Sequence, residues 1–259
     1  MIRNLRELYQ YRALLWSLTQ RELRARYRGS VLGFLWTFLN PTLLMLVYAL
    51  IFGVYLRQQI RFYTYFVFIG LLPWIWFSTS VAAATSAISD RRDLLTKVRF
   101  PAQILPATVV ATNLCNYLLA LPLMIILGAA YGVWPTWHAI AFPLVVLVQL
   151  LFTLALAFAL AALNVSFRDL QYIVTNILTL WFFVTPILYF ATTIPARFRN
   201  LLFFGNPMAI VISSYQTIFY EHRLPDPTLL ALVAVISVGL LWIASHIFAA
   251  YREEFAELV

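Results

Sequence analysis

The chain has 259 residues, of which 63% are hydrophobic and 11% charged, and its mean hydropathy is +0.85. Soluble domains carry about 25% charged and 45–50% apolar residues, so these values exclude an ordinary soluble enzyme and also a disordered chain. The one cysteine, Cys115, excludes an intramolecular disulfide and a cysteine-based metal cluster, and the net charge of +8 must be read from where the cations lie before it is read as affinity for nucleic acid.

Residues 1–30 hold 7 of the 18 Lys and Arg residues. At 100° per residue, Leu5, Leu8, Tyr9, Leu15, Trp16, Leu23 and Tyr27 share one helical face. Arg3, Arg6, Glu7, Arg21, Arg24 and Arg28 occupy the other, while Arg12 and Arg26 fall near the apolar side. This is the pattern of an amphipathic helix lying on a membrane surface. It lacks the short basic start and immediate apolar core of a cleavable signal peptide. Two readings stay open: a topogenic anchor attracted to anionic lipid, or a surface that docks a partner or a phosphate-bearing lipid headgroup.

Gaps between charges then set out the spans. No charge lies between Arg28 and Arg57, Arg61 and Asp90, Arg99 and Arg168, Asp169 and Arg197, or Asp226 and Arg252. A membrane-crossing helix needs about 20 apolar residues. Four gaps therefore hold one span each, and the gap from Arg99 to Arg168 holds two, joined by a turn in GAAYGVWPTW, residues 128–137. The expected spans are 31–56, 62–88, 104–130, 139–163, 172–193 and 228–250, in a single domain 31–259 that follows the interface helix 1–30. A seventh candidate, 197–222, contains Gly205, Asn206, Pro207, Ser213, Ser214 and Gln216, which are poor lipid-facing choices. It reads as a re-entrant or interfacial helical hairpin on the outer side. Six spans put both termini on one side. That side carries 13 Lys and Arg against 5 on the other, which makes both termini cytoplasmic.

Two inner loops stand out. SDRRDLLTKVRFPAQILP, residues 89–106, can cap a short helix at Ser89 or Asp90 and end it at Pro101, with Leu94, Leu95 and Val98 as an apolar ridge. It reads as a short docking helix. NVSFRDLQY, residues 164–172, is a tight turn carrying Arg168 beside Asp169, a pair equally at home in water or at an interface.

Much chemistry has no residues to support it. There is no phosphate loop of the G-x-x-x-x-G-K-[ST] type, and Lys97 is the only lysine. His138, His222 and His246 are scattered, and no Asp or Glu falls inside an expected span. Catalytic, cofactor-binding and metal-ligating residues are therefore not expected on this chain. Aromatic residues form 17% of it. Trp134 and Trp137 suit an interfacial belt. Trp74, Trp76, Trp181, Phe182 and Phe183 fit either a belt or the lining of a sugar conduit, because sugars stack their C–H faces on aromatic rings.

Five segments in order carry a resemblance: RELRARYRGSVLGFLWTFLNP (21–41), LLPWIWFS (71–78), KVRFPAQILP (97–106), N-x-x-x-R-D-L (164–170) and NPM (206–208). Together they resemble, over essentially the whole chain, the permease subunit of bacterial type-2-class ABC polysaccharide exporters, which serve O-antigen, capsule and teichoic acid. The resemblance implies an all-α membrane protein with six spans, an interface helix and outer re-entrant helices between spans five and six. It implies a homodimer around a conduit, with two ABC ATPase subunits below that bind the ATP and Mg. It implies that Asp90, Arg91, Arg92, Asp93, Leu94, Leu95, Lys97, Arg99 and Phe100 form a coupling helix entering the ATPase. Arg24, Arg26, Tyr27, Arg168 and Asp169 would lie near the same contact. Trp74, Trp76, Phe77, Trp181, Phe182 and Tyr189 become candidates for the conduit lining.

The expected function is ATP-driven movement of a lipid-linked polysaccharide across the bacterial cytoplasmic membrane, with membrane lipid as neighbour and no nucleic-acid partner. Alternatives are a permease for a lipid or drug, a membrane enzyme acting on polyprenyl-linked sugars, and a passive channel. The enzyme would need its acid–base groups among Asp90, Asp93, Asp169, Glu221, His222 and Asp226, which form no recognisable arrangement. A pyrophosphate on the carrier lipid would suit Arg24, Arg26 or Arg28 at the inner interface.

Overall fold

A computed structural model of the chain describes residues 2–91 and 100–250. Every regular element among them is helical. The N-terminal segment forms α1 (Ile2–Gln10) and α2 (Arg12–Tyr27), two helices separated by a turn at Tyr11 where one continuous helix was expected. Gly29, with φ at 79°, turns the chain out of α2 into the first span.

Five helices are long and apolar enough to cross a bilayer. The first, Gly33–Tyr55, contains α3 (Trp36–Tyr48) and a wider π-type turn, Ala49–Tyr55. The second is α4 (Tyr63–Ser86), the third α5 (Ile104–Ala130), and the fourth joins a short lead-in to α6 (Phe142–Ser166). The fifth of these long helices comes last in the chain, and it is α10 (Pro227–Ala250). Between α6 and α10 lie α7 (Leu170–Val184), α8 (Ala196–Gly205) and α9 (Pro207–Phe219). The axes of α8 and α9 meet at 105°.

One boundary differs clearly from expectation. The span placed at 172–193 ends as a helix at Val184, after 15 residues. Thr185 is extended, with ψ at 136°, because Pro186 disfavours the helical conformation in the residue before it. At 1.5 Å per residue α7 is about 22 Å long, short of the ~30 Å hydrocarbon layer. The chain beyond it is irregular to Pro195 apart from a single turn at Ala191–Thr193.

Helix α4 is the centre of the bundle. It is 72% buried over its apolar window and packs on α3, α5, α6, α7 and α9, whereas the first span is only 11% buried. Its rings interlock with those of its neighbours. Trp76 stacks on Tyr117 of α5 at 5.2 Å, and Phe77 stacks on Phe152 of α6 at 5.8 Å. Gly70 lets α9 approach: an added Cβ would lie 3.2 Å from the Ile212 side chain. Helices α6 and α10 pack along each other more extensively than any other pair.

Several hydroxyls inside the bundle are satisfied within their own helices, as a membrane interior favours. The hydroxyls of Thr85, Thr108, Thr153, Ser214 and Ser237 each donate to the carbonyl four residues back, at 2.6–2.8 Å. Gln149 of α6, fully buried, donates its amide to the Pro73 carbonyl at 2.8 Å.

Candidate functional site

Polar side chains gather at the base of the bundle, along a groove and at the top. The first place is the base, the end that carries α1 and α2. Here α1 and α2 are held to α5 and its N-cap residue by two glutamates and one arginine. Gln103 donates to Glu7 at 3.0 Å, and Thr112 donates to Glu22 at 3.2 Å. Glu22 also pairs with Arg91. Both terminal nitrogens of Arg26 donate to the Asn113 side-chain oxygen at 3.3 Å. Arg26 is therefore turned toward the third span, which explains why it departs from the polar stripe of the helix. Arg24 instead lines a shallow depression with Arg21 and Arg28 on the outer face.

The short turn Ser89–Arg91 is tied down three ways. Ser86 donates to Asp90 at 2.7 Å, Asn164 of α6 donates to Ser89 at 3.3 Å, and Arg91 pairs with Glu22. On the far side of the loop, Phe100 packs against the cluster of Ala84, Ala87, Leu105 and Val109. Arg92, Asp93, Leu94, Leu95, Lys97 and Arg99, and the side chain of Tyr27, lie outside the described residues. Arg168 and Asp169 are exposed in the turn between α6 and α7, at the same end of the bundle.

The second place is a groove of about 430 Å³ between α3, α4 and α7. Its polar residues are Asn40, Ser78, Thr79, Thr175 and Thr179. Its aromatic residues are Tyr48, Trp74, Phe182 and Phe183. The hydroxyls of Thr79, Thr175 and Thr179 donate to backbone carbonyls at 2.6–3.0 Å, which leaves their oxygens as acceptors toward the groove. Rings interleaved with acceptors are the chemistry a sugar requires.

The six candidate lining residues divide. Trp74 and Phe182 line the groove. Trp181 sits behind them, edge-on to Trp74 and Phe77, and Phe77 is fully buried. Trp76, 1% exposed, faces a different cavity on the α5 side. Tyr189 folds back to donate its hydroxyl to the Phe183 carbonyl at 3.1 Å. Sequence reasoning missed Tyr48, Asn40 and the hydroxyls. The i, i+4 spacing of Thr175 and Thr179 in an otherwise apolar helix was the available signal.

The third place is the opposite end, the top. Asn206 occupies the corner between α8 and α9 and is 4% exposed. Its side-chain oxygen accepts from the Trp181 indole at 2.8 Å and from the Ala209 N–H at 3.1 Å, capping α9. Its amide donates to Thr185 at 3.1 Å. Gln216 donates to the Pro186 carbonyl at 2.8 Å, and Tyr63 donates to the Leu188 carbonyl at 2.9 Å. Tyr220 donates to the Arg61 carbonyl at 2.7 Å. Burial pushes the Tyr220 hydroxyl above the usual tyrosine range, against the opposing pull of Arg61. The bent pair is thus stitched to the ends of α4 and α7. Among the described residues no group of three or more His, Cys, Asp or Glu is placed to hold a metal ion.

Residues 13–220, from α2 to the end of α9, match the ABC-2 type transporter family. The chain belongs to that family. An O-antigen export system permease protein, RfbA, of Myxococcus xanthus is 66% identical over 260 residues, spanning 100% of both chains. A protein of the same name from Klebsiella pneumoniae is 30% identical over 247 residues, 95% of each chain. The polysialic acid transport protein KpsM of Escherichia coli is 21% identical over 241 residues, 92% of this chain and 93% of that one. The chain is accordingly a multi-pass membrane component of a transporter and not an enzyme. Membership of the family implies an ATP-hydrolysing partner.

Proposed function

We propose that the chain is the membrane-spanning subunit of an ATP-driven exporter that moves a lipid-linked polysaccharide of the O-antigen kind across the bacterial cytoplasmic membrane. The observation that carries this reading is the groove on α3, α4 and α7, where hydroxyl and amide oxygens alternate with aromatic rings. Full-length identity of 66% to an O-antigen export permease supports the choice of cargo. The groove runs beside the first span, the least buried of the five long helices, and serves as half of a channel. Two copies facing each other there close it into a conduit, and two ATPase subunits complete the complex. The excess of Lys and Arg on the side of the termini supports a cytoplasmic location for both. Residues 90–100, with Arg24, Arg168 and Asp169 beside them, form the surface that meets the ATPase. Helix α7 with the chain following it makes the fifth crossing, and α8 with α9 forms a re-entrant outer hairpin.

Removal of the chain from its host tests this. Surface glycan is expected to disappear, and lipid-linked glycan to accumulate on the cytoplasmic side, with both restored by the intact chain. Purification in mild detergent is expected to recover two permeases with two ATPases. Unchanged surface glycan in the deletion strain sinks the reading, and a lipid or drug accumulating in its place identifies a different cargo.

A further inference from the structure

Beside the groove lies a second cavity of about 460 Å³, enclosed by the C-terminal end of α2, α3, α4 and α5. This is within the ~300–1,000 Å³ of typical ligand pockets. Arg26, Asn40 and Asn113 line it, together with the rings of Trp36, Trp76 and Tyr117. None of the residues lining it is acidic. The Arg26 guanidinium donates to the Asn113 amide oxygen, while Glu22, one turn back on α2, pairs with Arg91. The buried indole N–H of Trp76 has no hydrogen-bond partner among the described residues. A guanidinium and side-chain amides around one cavity select an anion with several oxygens. The aromatic faces suit a sugar attached to it.

This cavity is not isolated. Arg26 and Asn113 also line a third hollow at the base, about 480 Å³, which contains Glu22, Asp90 and Arg91. Asn40, Ile75 and Thr79 also line the groove. The basal hollow meets α4 at Ala83 and Ser86, and the cavity and the groove lie side by side above it, over Leu72–Thr79 and Leu71–Ala82 of the same helix. The basal hollow sets Glu22 and Asp90 against Arg91 and Arg26, whereas the cavity above has Arg26 and no carboxylate in its lining.

We infer that the cavity at Arg26, Asn113 and Trp76 is the loading site for the pyrophosphate headgroup of the carrier lipid, with Asn40 and Thr79 as the threshold over which its first sugars pass into the groove. The inference rests on the export reading. It gives that reading a defined headgroup site, inside one protomer, separate from the surface offered to the ATPase.

The test uses the permease–ATPase complex in zwitterionic nanodiscs, with Trp36→p-benzoylphenylalanine as a photo-crosslinker in the cavity. The probe is a radiolabelled polyprenyl pyrophosphate bearing one sugar. Crosslinking at position 36 is expected, competed by unlabelled probe but not by a tenfold excess of phosphatidylglycerol. Adding Arg26→Gln is expected to reduce it at least tenfold while the ATPase still co-purifies, and Arg26→Lys to reduce it less than threefold. Thr79→Leu is expected to leave crosslinking in place and block export, a second variant that stands if Arg26→Gln does not assemble. Equal competition by phosphatidylglycerol makes the cavity a general phospholipid site and overturns the inference. So does full crosslinking with Arg26→Gln. Crosslinking from Tyr48→p-benzoylphenylalanine in the groove but none from position 36 overturns the loading site and leaves the exporter standing. No crosslinking from either position overturns both.

Discussion

Replacing Asn206 by alanine removes three hydrogen bonds of unequal worth. Loss of the cap on α9 costs about 1 kcal/mol. The Trp181 indole N–H, left without its 2.8 Å acceptor in a dry setting, costs about 1–3 kcal/mol more. Thr185 loses little, because its own hydroxyl still donates to the Trp181 carbonyl at 2.8 Å. The total is about 2–4 kcal/mol, concentrated where α9 meets α7. Since about 1.4 kcal/mol is a factor of ten, opening of the first turn of α9 becomes roughly 30- to 700-fold more frequent. Hydrogen exchange on the complex in detergent reads this directly as lost protection at Ala209–Ile212, with α6 and α10 unaffected. A double-mutant cycle with Trp181→Phe, which removes the N–H and keeps a ring, is expected to show coupling of at least ~1 kcal/mol. Protection within twofold of the parent, or energies that add within about 0.5 kcal/mol, refutes the assignment of Asn206 as the joint between hairpin and span.

Other perturbations test the remaining contacts. Glu22→Gln keeps the bond from Thr112 but leaves Arg91 unpaired; with side chains 19% and 30% exposed, the pair lies between surface and buried limits, so a cycle with Arg91→Gln is expected to give coupling of about 1–2 kcal/mol in thermal unfolding of the complex. Thr175→Val with Thr179→Val keeps shape and removes both groove oxygens, and is expected to lower glycan export several-fold while ATPase binding, read by co-purification, is unchanged. Gly128→Ala would place a Cβ 2.9 Å from the Val133 carbonyl and 3.0 Å from the Tyr65 ring, so about 1–3 kcal/mol of overpacking should appear as a lower Tm.

How much of this was legible in the sequence follows from the range of each signal. Charge gaps located the long spans to within a few residues, because exclusion of charge from lipid acts on every position of a helix. The end of α7 escaped because Pro186 alone ends a helix that the apolar run around it continues. The N-terminal segment was legible as helical, yet its division at Tyr11 and its anchoring were not. Glu7 and Glu22 look like solvated charges in a local pattern, and their partners Gln103 and Thr112 are distant in the chain. Trp76 and Trp181 were recognised as special by type, but which way each ring turns is decided by Tyr117 and Asn206 on other helices. Asn206 itself was flagged as unfit for lipid. Its use as both a cap and an interhelical acceptor became visible only in three dimensions.

The same contacts indicate how a push at the base would reach the groove. Residues 92–99 are flanked by two fixed points. On one side Ser89–Arg91 is bound to α2, α4 and α6, and on the other Phe100 packs on α4 and the start of α5. A force applied at these two points would act on α2, α4, α5 and α6 together, with α10 joined to them by its long contact with α6. Helix α7 packs less extensively, mainly against α4, and α3 holds to the same block through α4 and, more weakly, α5. The groove runs along these lighter contacts. Rigid motion of the block relative to α3 and α7 thus changes the width of the space lined by Thr79, Thr175 and Phe182 without breaking the aromatic stacking of the core. The joint at Asn206 ties the far end of α7 to the hairpin. Helix α9 also packs directly on α4 and α6, so motion of the block reaches the top through α9, and the Asn206 joint passes it to the far end of α7.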